Sequence, residues 1–228
     1  KRKGVFYSFI KYWCEYVETI AVNSKNLKWK HFPGYNKILH AFLVEMKSVE
    51  LVDYTDRMEK ALVSLLHNEK LLNTFVVILF KKTDINDSAS VLKLLDYLEL
   101  FFSAINKKNR PIPPTFDYAY FFRGFKLILE GSHCYSLGKC LLLLYNHFNI
   151  FSQEFRYAIS MYLMGKLFFR LFLHWSFNVR TIFHHLLYIR INKLTEFSSK
   201  NTKVFSRHER AFLRERYDKL MIILENAN

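Results

Sequence analysis

Glycine and proline are scarce in this sequence, with six glycines and four prolines among 228 residues. Sandwiches and barrels built from many short strands need frequent turn residues, so this scarcity argues against them. The three cysteines, Cys14, Cys134 and Cys140, are odd in number and lack CxxC spacing, which is typical of an intracellular, cytoplasmic protein without disulfides. There is no run of 18 uncharged apolar residues, so we expect no transmembrane span. A peripheral position on a membrane is the alternative.

Acidic residues are also in short supply, since 20 Asp and Glu stand against 34 Lys and Arg and the net charge is +14. The excess lies at the two ends of the chain: residues 1–35 hold seven basic and two acidic residues, and residues 151–228 hold thirteen and six. A positive field suits an acidic partner, which includes nucleic acid, an anionic membrane surface and an acidic protein tail. Charge alone does not choose among these three.

Large apolar side chains are abundant, because 51% of the residues are hydrophobic and 18% are aromatic. A chain of this length can bury roughly 70–75% of the surface that its unfolded form exposes. We expect one all-α domain over residues 1–228, with a weak internal break at 106–114, where the sequence is NKKNRPIPP. Because Lys1 is not Met, we expect the chain to be a piece of a longer protein.

Apolar residues recur at helical spacing along the chain, and no pair of strands can be recognised. The pattern predicts roughly nine helices joined by short connections. Two packings are open: an irregular helical-repeat stack of the HEAT or armadillo kind, or a compact bundle. In the first predicted helix, the polar residues form one narrow stripe that we expect to face water: Ser8, Lys11, Glu15 and Glu18.

Polar residues at the predicted helix starts indicate N-caps. Asp56 and Glu59 resemble a capping box, in which two side chains bond backbone N–H groups at a helix start. Ser132 and Ser152 each precede a predicted helix. Residues 206–209, SRHE, form a second capping box before a last helix that ends near residue 226.

Arginines recur at Arg170, Arg180 and Arg190 within a stretch that is otherwise mostly apolar. If each residue advances by about 100° around a helix axis, the polar residues of this stretch, Lys166, Arg170, Arg180 and His184 among them, share one arc of about 160°. This predicts one long helix, or two nearly coaxial helices. Its polar face is either solvated or binds a partner or an anion.

Four further residues qualify this polar arc. Two coaxial helices would meet near Ser176, and the apolar Leu173 and Phe177 intrude on the polar side, so we expect the face to be half covered. Arg190 falls on the apolar side, where an arginine near a helix end can bond terminal carbonyls.

We find no constellation of side chains that indicates chemistry. His133, Cys140 and His147 are seven residues apart, and each step of seven is about 10.5 Å along a helix. The three therefore cannot share a metal ion whose ligands lie near 2 Å. His133 and Cys134 are adjacent and point about 100° apart, so they do not form a nucleophile and base pair. We expect no catalytic residue, no metal, no cofactor and no small-molecule substrate.

Two segments, GSHCYSLGKCLLLLYNHF and FFRLFLHWSFNVRTIFHHLLYIR, resemble the C-terminal part of a eukaryotic, mainly fungal family of helical proteins of unknown function. The resemblance covers roughly residues 111–192, and its most specific part is the motif H-W-S-x-x-V-R. The matching positions are Gly131, Ser132, Ser136, Leu137, Lys139, Tyr145, His174, Trp175, Ser176, Val179, Arg180 and Arg190.

The resemblance implies no activity, but it implies that His174, Trp175, Ser176 and Arg180 form a structural unit. A physical account of this unit is available: Trp175 is buried in the core, Ser176 starts or kinks a helix, and His174 and Arg180 bond the carbonyls that the kink exposes.

These observations favour a non-enzymatic α-helical scaffold that binds other proteins and forms a structural component of a larger assembly. The alternative is a basic polyanion-binding module for RNA, an anionic membrane surface or acidic protein tails. The candidate partner- or anion-binding face consists of Lys166, Arg170, Arg180 and His184.

Overall fold

The computed structural model describes residues 2–23, 29–107 and 111–191 and five isolated positions, Ala211, Glu215, Asp218, Lys219 and Ile222. Throughout these described residues the secondary structure is helical and contains no strand, so the all-α prediction is confirmed. The capping box at 206–209 lies outside them. The α-helices are α1 Arg2–Asn23, α2 Tyr35–Ser48, α3 Asp56–Leu65, α4 Leu71–Lys82, α5 Ser88–Asn106, α6 Tyr118–Glu130, α7 Cys134–His147, α8 Gln153–Gly165, α9 Phe168–Phe172 and α10 Phe177–His185.

Four shorter helical turns complete the secondary structure of the described residues. Three are 3-10 turns, at Trp29–His31, Leu51–Asp53 and Phe148–Ile150, and one π-helical turn, Leu186–Ile191, continues α10.

The chain divides into two compact units, with the boundary after Leu129. The boundary does not fall at 106–114, where the prolines suggested a weak break. Ile112 within that segment and Phe116 just beyond it are buried, and the backbone N–H of Asp117 donates to Oδ1 of Asn73 at 3.0 Å, so residues 111–117 are packed within the first unit. The expectation of one domain over the whole chain stays a prediction.

The helices of the first unit pack in two alternating layers. Helix α3 packs against both α1 and α5, and α2 packs against α4, so that alternate helices are neighbours. This is the arrangement that a stack of helix pairs produces. A line of aromatic rings joins the layers, with centroid distances of 6.2 Å from Tyr7 to Phe42, 6.4 Å from Phe42 to Phe75 and 6.0 Å from Phe75 to Phe101.

A close approach at Gly124 fixes α6 in the same unit. The ring of Phe80 lies where a Cβ atom on residue 124 would stand, so any larger residue would clash with it. Glycine costs a helix about 1 kcal/mol relative to alanine, and here it admits the aromatic ring in exchange.

In the second unit, α7 packs against α10 and against the π-helical turn, and α9 packs against both α8 and α10. Leu141, Leu163, Leu171 and Phe183 are fully buried in its core. None of the described helices is long and apolar enough to cross a lipid bilayer.

The predicted N-caps are partly right. Ser152 accepts the N–H of Phe155 at 3.2 Å and caps α8 as expected. Helix α3 is capped by Thr55, whose Oγ1 accepts the N–H of Met58, and not by Asp56. Helix α7 is capped by the imidazole of His133 and not by Ser132. In both wrong cases the cap lies one residue away, because a helix pattern fixes its boundary only to within a residue or two.

Each unit contains one fully buried thiol. Burial raises the pKa of Cys14 in α1 to about 12, and nearby Glu15 and Glu18 add to the effect. Burial likewise raises the pKa of Cys140 in α7 well above its ordinary value. Cys134 is partly exposed. The two buried thiols are inert packing groups in the folded protein, since the thiolate is the reactive form.

Candidate functional site

The turn between α9 and α10 brings His174, Ser176 and Arg180 together. Nη1 of Arg180 donates to the carbonyl oxygen of His174 at 2.6 Å and to that of Trp175 at 3.1 Å. The backbone N–H of Ser176 donates to Nδ1 of the buried His174 at 3.1 Å. Three hydrogen bonds thus hold the four residues of irregular backbone between α9 and α10 in one conformation. We call residues 173–177, which include the first residue of α10, the α9–α10 turn.

The imidazole of His174 must be neutral to serve this turn, because its Nδ1 accepts a hydrogen bond. Burial lowers the pKa of His174, and the positive charges of Arg170 and Arg180 lower it further. The shift therefore favours the protonation state that the geometry requires.

The prediction that Trp175 is buried is wrong, since the side chain is 75% exposed. Its ring stacks on that of His174, with a centroid distance of 5.5 Å and an interplanar angle of 28°. The physical reason is that hydrogen bonds to the backbone fix the turn, so it needs no aromatic anchor. The core beneath it is already filled by Phe172, Val179 and Phe183.

The predicted polar arc is not one helix face. The helix breaks at Lys166 and again across the α9–α10 turn, so Lys166, Arg170 and Arg180 belong to different segments. Lys166 lies 2.6 Å from the carboxylate of Glu130, and His184 packs against the ring of Phe172 at 4.5 Å. Burial also lowers the pKa of His184. The four residues thus lie on separate helical segments, and their role as a partner- or anion-binding face stays a prediction.

All three recurring arginines bond backbone carbonyls. Arg170 donates to the carbonyls of Glu130, at 2.9 Å, and of Gly131, where α6 ends. Arg180 bonds the carbonyls that follow α9. Nε of Arg190 donates to the carbonyl of Tyr145 at 2.9 Å, in the last turn of α7, with its guanidinium 4.9 Å from the Tyr145 ring centroid. Carbonyls at the end of a helix lack intrahelical partners and carry partial negative charge, so cations stabilise them.

Leu173, Trp175 and Phe177 are 68%, 75% and 69% exposed, which makes the α9–α10 turn an apolar surface. We expected the polar face to be half covered at Leu173 and Phe177, and that expectation is wrong. The sequence did contain the signal, because two large apolar residues fell inside a polar arc. We interpreted the position of Leu173 and Phe177 on the polar side as a sign of burial, whereas both side chains are exposed.

A second exposed apolar surface lies on α1. Tyr7, Ile10, Cys14 and Val17 are buried and share one side of the helix. The opposite side carries Val5, Phe9, Tyr12 and Tyr16, which are 68%, 50%, 64% and 65% exposed. At about 100° per residue these four lie within an arc of about 60°. We call them the outer face of α1. The polar stripe that the sequence predicted, Ser8, Lys11, Glu15 and Glu18, lies beside this face and is partly exposed.

Titratable groups with raised pKa values occur at separate places. The hydroxyl of Tyr7 donates to Glu45 at 3.2 Å, and burial together with that carboxylate raises its pKa to about 12. The hydroxyl of Tyr97 donates to Glu59 at 2.9 Å, and its pKa is raised by the same causes. Each pair joins two elements, which is a structural use. Among the described residues there is no group of three or more side chains that could hold a metal ion.

His133 also has a structural use. Its Nδ1 accepts the N–H of Ser136 at 3.3 Å and lies 2.8 Å from the Ser136 hydroxyl, so the ring serves as the N-cap of α7.

The fold is that of an all-α protein whose arginines bond the ends of its helices. The chain belongs to a family described as protein of unknown function (DUF1765), whose family model matches residues 72–191, just over half of the chain. The match contains the H-W-S-x-x-V-R segment and begins earlier than the resemblance that the sequence suggested, near the start of α4. No curated protein and no solved structure matches the chain.

Proposed function

We propose that the chain is a non-enzymatic α-helical scaffold that binds other proteins as a structural component of a larger assembly. The observation that carries this proposal is the apolar outer face of α1. In a stack of helix pairs, each helix buries its apolar side against the next. The outer face of α1 is apolar, so it suits a further helix.

The partner that fits this face is an amphipathic helix from another protein. Val5, Phe9, Tyr12 and Tyr16 are separated by four, three and four residues, which is the spacing that lets two helices interlock their side chains. Tyrosine is enriched at protein interfaces because it offers a large apolar ring with a polar tip.

The size of the outer face indicates how the partner is held. Four side chains of this kind offer on the order of 400 Å², which is less than the roughly 800 Å² per partner of a standard interface. The contact should therefore be weak by itself and become stable within an assembly that supplies further contacts. This agrees with a scaffold and not with a pair of proteins bound only here.

The proposal can be tested by placing a photo-crosslinking phenylalanine analogue at Tyr12, in the source cell. We expect light-dependent crosslinks to a defined protein. The matched control carries the same analogue at Tyr135, which is 72% exposed in the second unit and does not belong to the outer face. Tyr12→Glu with Tyr16→Glu should abolish co-purification of the crosslinked protein while circular dichroism stays unchanged.

Identical crosslinked products from Tyr12 and Tyr135 would contradict the proposal, as would a partner that the double Glu variant retains. The other expectations from the sequence stay predictions. They are the absence of enzymatic activity, a cytoplasmic location, the mainly fungal distribution of the family and its H-W-S-x-x-V-R motif.

A further inference from the structure

The α9–α10 turn exposes three large apolar side chains within five residues. Leu173, Trp175 and Phe177 alternate with the buried His174 and the half-buried Ser176, so every second side chain of the turn is exposed. Isolated apolar residues on a protein surface are common, but a contiguous group that includes a tryptophan indicates an interaction site.

The turn is held before any ligand binds. Arg180 bonds two of its carbonyls, and the N–H of Ser176 bonds the His174 ring. The guanidinium of Arg180 also lies 5.9 Å from the ring centroid of Phe177. A turn fixed in this way keeps its apolar side chains exposed and loses little conformational entropy on binding.

Positive charge lies beside the turn. Arg180 bonds two of its carbonyls, and Arg170 and Arg180 are both near enough to the buried His174 to add to the lowering of its pKa by burial. Lys166 is paired with the carboxylate of Glu130. A guanidinium that bonds a carbonyl keeps its positive charge. Exposed apolar side chains with positive charge beside them are therefore complementary to a surface that has an apolar interior and an anionic outer layer.

We propose that the α9–α10 turn docks onto an anionic membrane surface. Trp175 and Phe177 enter the interfacial region together with Leu173, and the positive charge of Arg180 and its neighbours lies at the level of the lipid headgroups. Aromatic side chains prefer the boundary between headgroups and acyl chains, and basic residues beside them are attracted by the negative surface potential of anionic lipids.

A membrane fits this turn better than RNA does. Base readout or phosphate binding needs hydrogen-bond donors that are directed outward, whereas Nη1 of Arg180 donates to the carbonyls of His174 and Trp175. What the turn offers outward is apolar surface with a diffuse positive field, which is the combination found in peripheral membrane proteins.

The experiment measures binding of the full chain to vesicles of phosphatidylcholine alone and with 30% phosphatidylserine. We expect binding to the anionic vesicles only. Trp175→Ala and Phe177→Ala should each weaken it about 10-fold, because a partly inserted aromatic side chain contributes on the order of one power of ten. Tyr135→Ala, an equally exposed aromatic in the same unit, and Tyr12→Ala on α1 should each leave it unchanged.

Fluorescence locates the contact independently of affinity. The chain has three tryptophans, Trp13, Trp29 and Trp175. With Trp13→Phe and Trp29→Phe, the emission of Trp175 should shift to shorter wavelength on addition of anionic vesicles and should be quenched by lipids brominated near the headgroup. Circular dichroism and thermal melting of every variant establish that it is folded.

Several results would overturn the proposal. They are equal binding to neutral and anionic vesicles, binding that the Trp175→Ala and Phe177→Ala variants retain, no shift in Trp175 emission, or binding to RNA or acidic peptides that exceeds binding to vesicles. Loss of crosslinking at Tyr12 would not affect it, because the proposed protein contact uses the outer face of α1.

Discussion

In the first unit the side chains that hold helix ends lie mostly within the same helical turn, whereas in the second unit several come from distant helices. Asp87 accepts the N–H groups of Ala89 and Ser90 at 3.0 and 3.1 Å at the start of α5. Arg170 and Arg190, by contrast, reach carbonyls that are 40 and 45 residues away in the sequence. Among the described residues of the first unit, Lys82 similarly reaches the carbonyl of Lys47, and Asn73 accepts the N–H of Asp117 just before α6.

This difference explains where part of the net positive charge comes from. A carboxylate that caps a helix start brings negative charge, and an arginine that bonds a helix end brings positive charge, although both satisfy the same kind of unpaired backbone group. The basic character of the second unit therefore has a structural use, and a count of its charges is not by itself a sign that it binds nucleic acid.

The largest effects should arise where the two units do not differ, in their cores. Phe75→Ala and Phe183→Ala should each lower the free energy of unfolding by about 3–5 kcal/mol, because each removes a fully buried aromatic side chain. Hydrogen exchange should locate the lost protection chiefly in α4 and α5 for the first variant and in α7 and α10 for the second. Loss of protection that is equal everywhere would contradict the division into two units.

The next largest effect should separate the two ways of holding a helix end. Arg180→Ala removes a charged donor from two carbonyls and should cost about 1.5–3 kcal/mol. Asp87→Ala in the first unit removes an ordinary N-cap and should cost about 1 kcal/mol. Denaturant unfolding of the two variants measures both values. Arg180→Lys keeps the charge but not the planar group, so it should recover only part of the loss, and full recovery would show that charge alone holds the turn.

Acid should destabilise the second unit through its histidines. The pKa values of His174 and His184 are lowered in the folded protein, so the unfolded chain binds protons more readily. The stability that they contribute is complete above the ordinary histidine pKa of about 6.5 and is lost as the pH falls from there through the lowered values. His174→Asn, which keeps an acceptor for Ser176, should reduce this dependence in unfolding measurements between pH 7 and 4. A variant with the same pH dependence as the parent would exclude His174 as a cause.

The smallest effect should come from Trp175. Since the side chain is 75% exposed, Trp175→Ala should change the free energy of unfolding by no more than about 0.5 kcal/mol. From the sequence alone we expected the several kcal/mol that truncation of a core aromatic costs. Thermal melting distinguishes these two values directly, and a large loss of stability would return Trp175 to the core.

The contrast between the fold and the site shows what sequence reasoning can reach. Helical periodicity reports which residues repeat on one side of a helix, so the all-α fold and the N-cap at Ser152 were predictable. It assumes that the helix continues, however, and it therefore joined Lys166, Arg170 and Arg180 across two breaks. Gly165 marks the first break, whereas no glycine or proline marks the second, which lies near Ser176, where the alternative of two helices placed their junction. The carbonyl bonds of Arg170 and Arg190 depend on residues about forty positions away, and a local pattern contains no information about them.

The exposed apolar residues posed a different difficulty. A tryptophan in an apolar segment is buried in most proteins, and the same residue types serve a core and an interaction surface. Only the backbone of the α9–α10 turn decides which one Trp175 serves. Arg180 and His174 hold that backbone. The sequence indicated that they form a structural unit, but it did not indicate the direction in which the turn points the Trp175 side chain.

Because each unit has one buried thiol, the rate at which each unit opens can be measured separately. An alkylating reagent reaches Cys14 or Cys140 only when the surrounding core opens, because both are fully buried, whereas the partly exposed Cys134 can react in the native protein and supplies an internal time reference. Mass spectrometry of peptides labelled over time would thus report two opening rates from a single sample, without any engineered probe. Under oxidative stress the same arrangement means that damage to the two core thiols records past unfolding, while modification of Cys134 records only exposure to the oxidant.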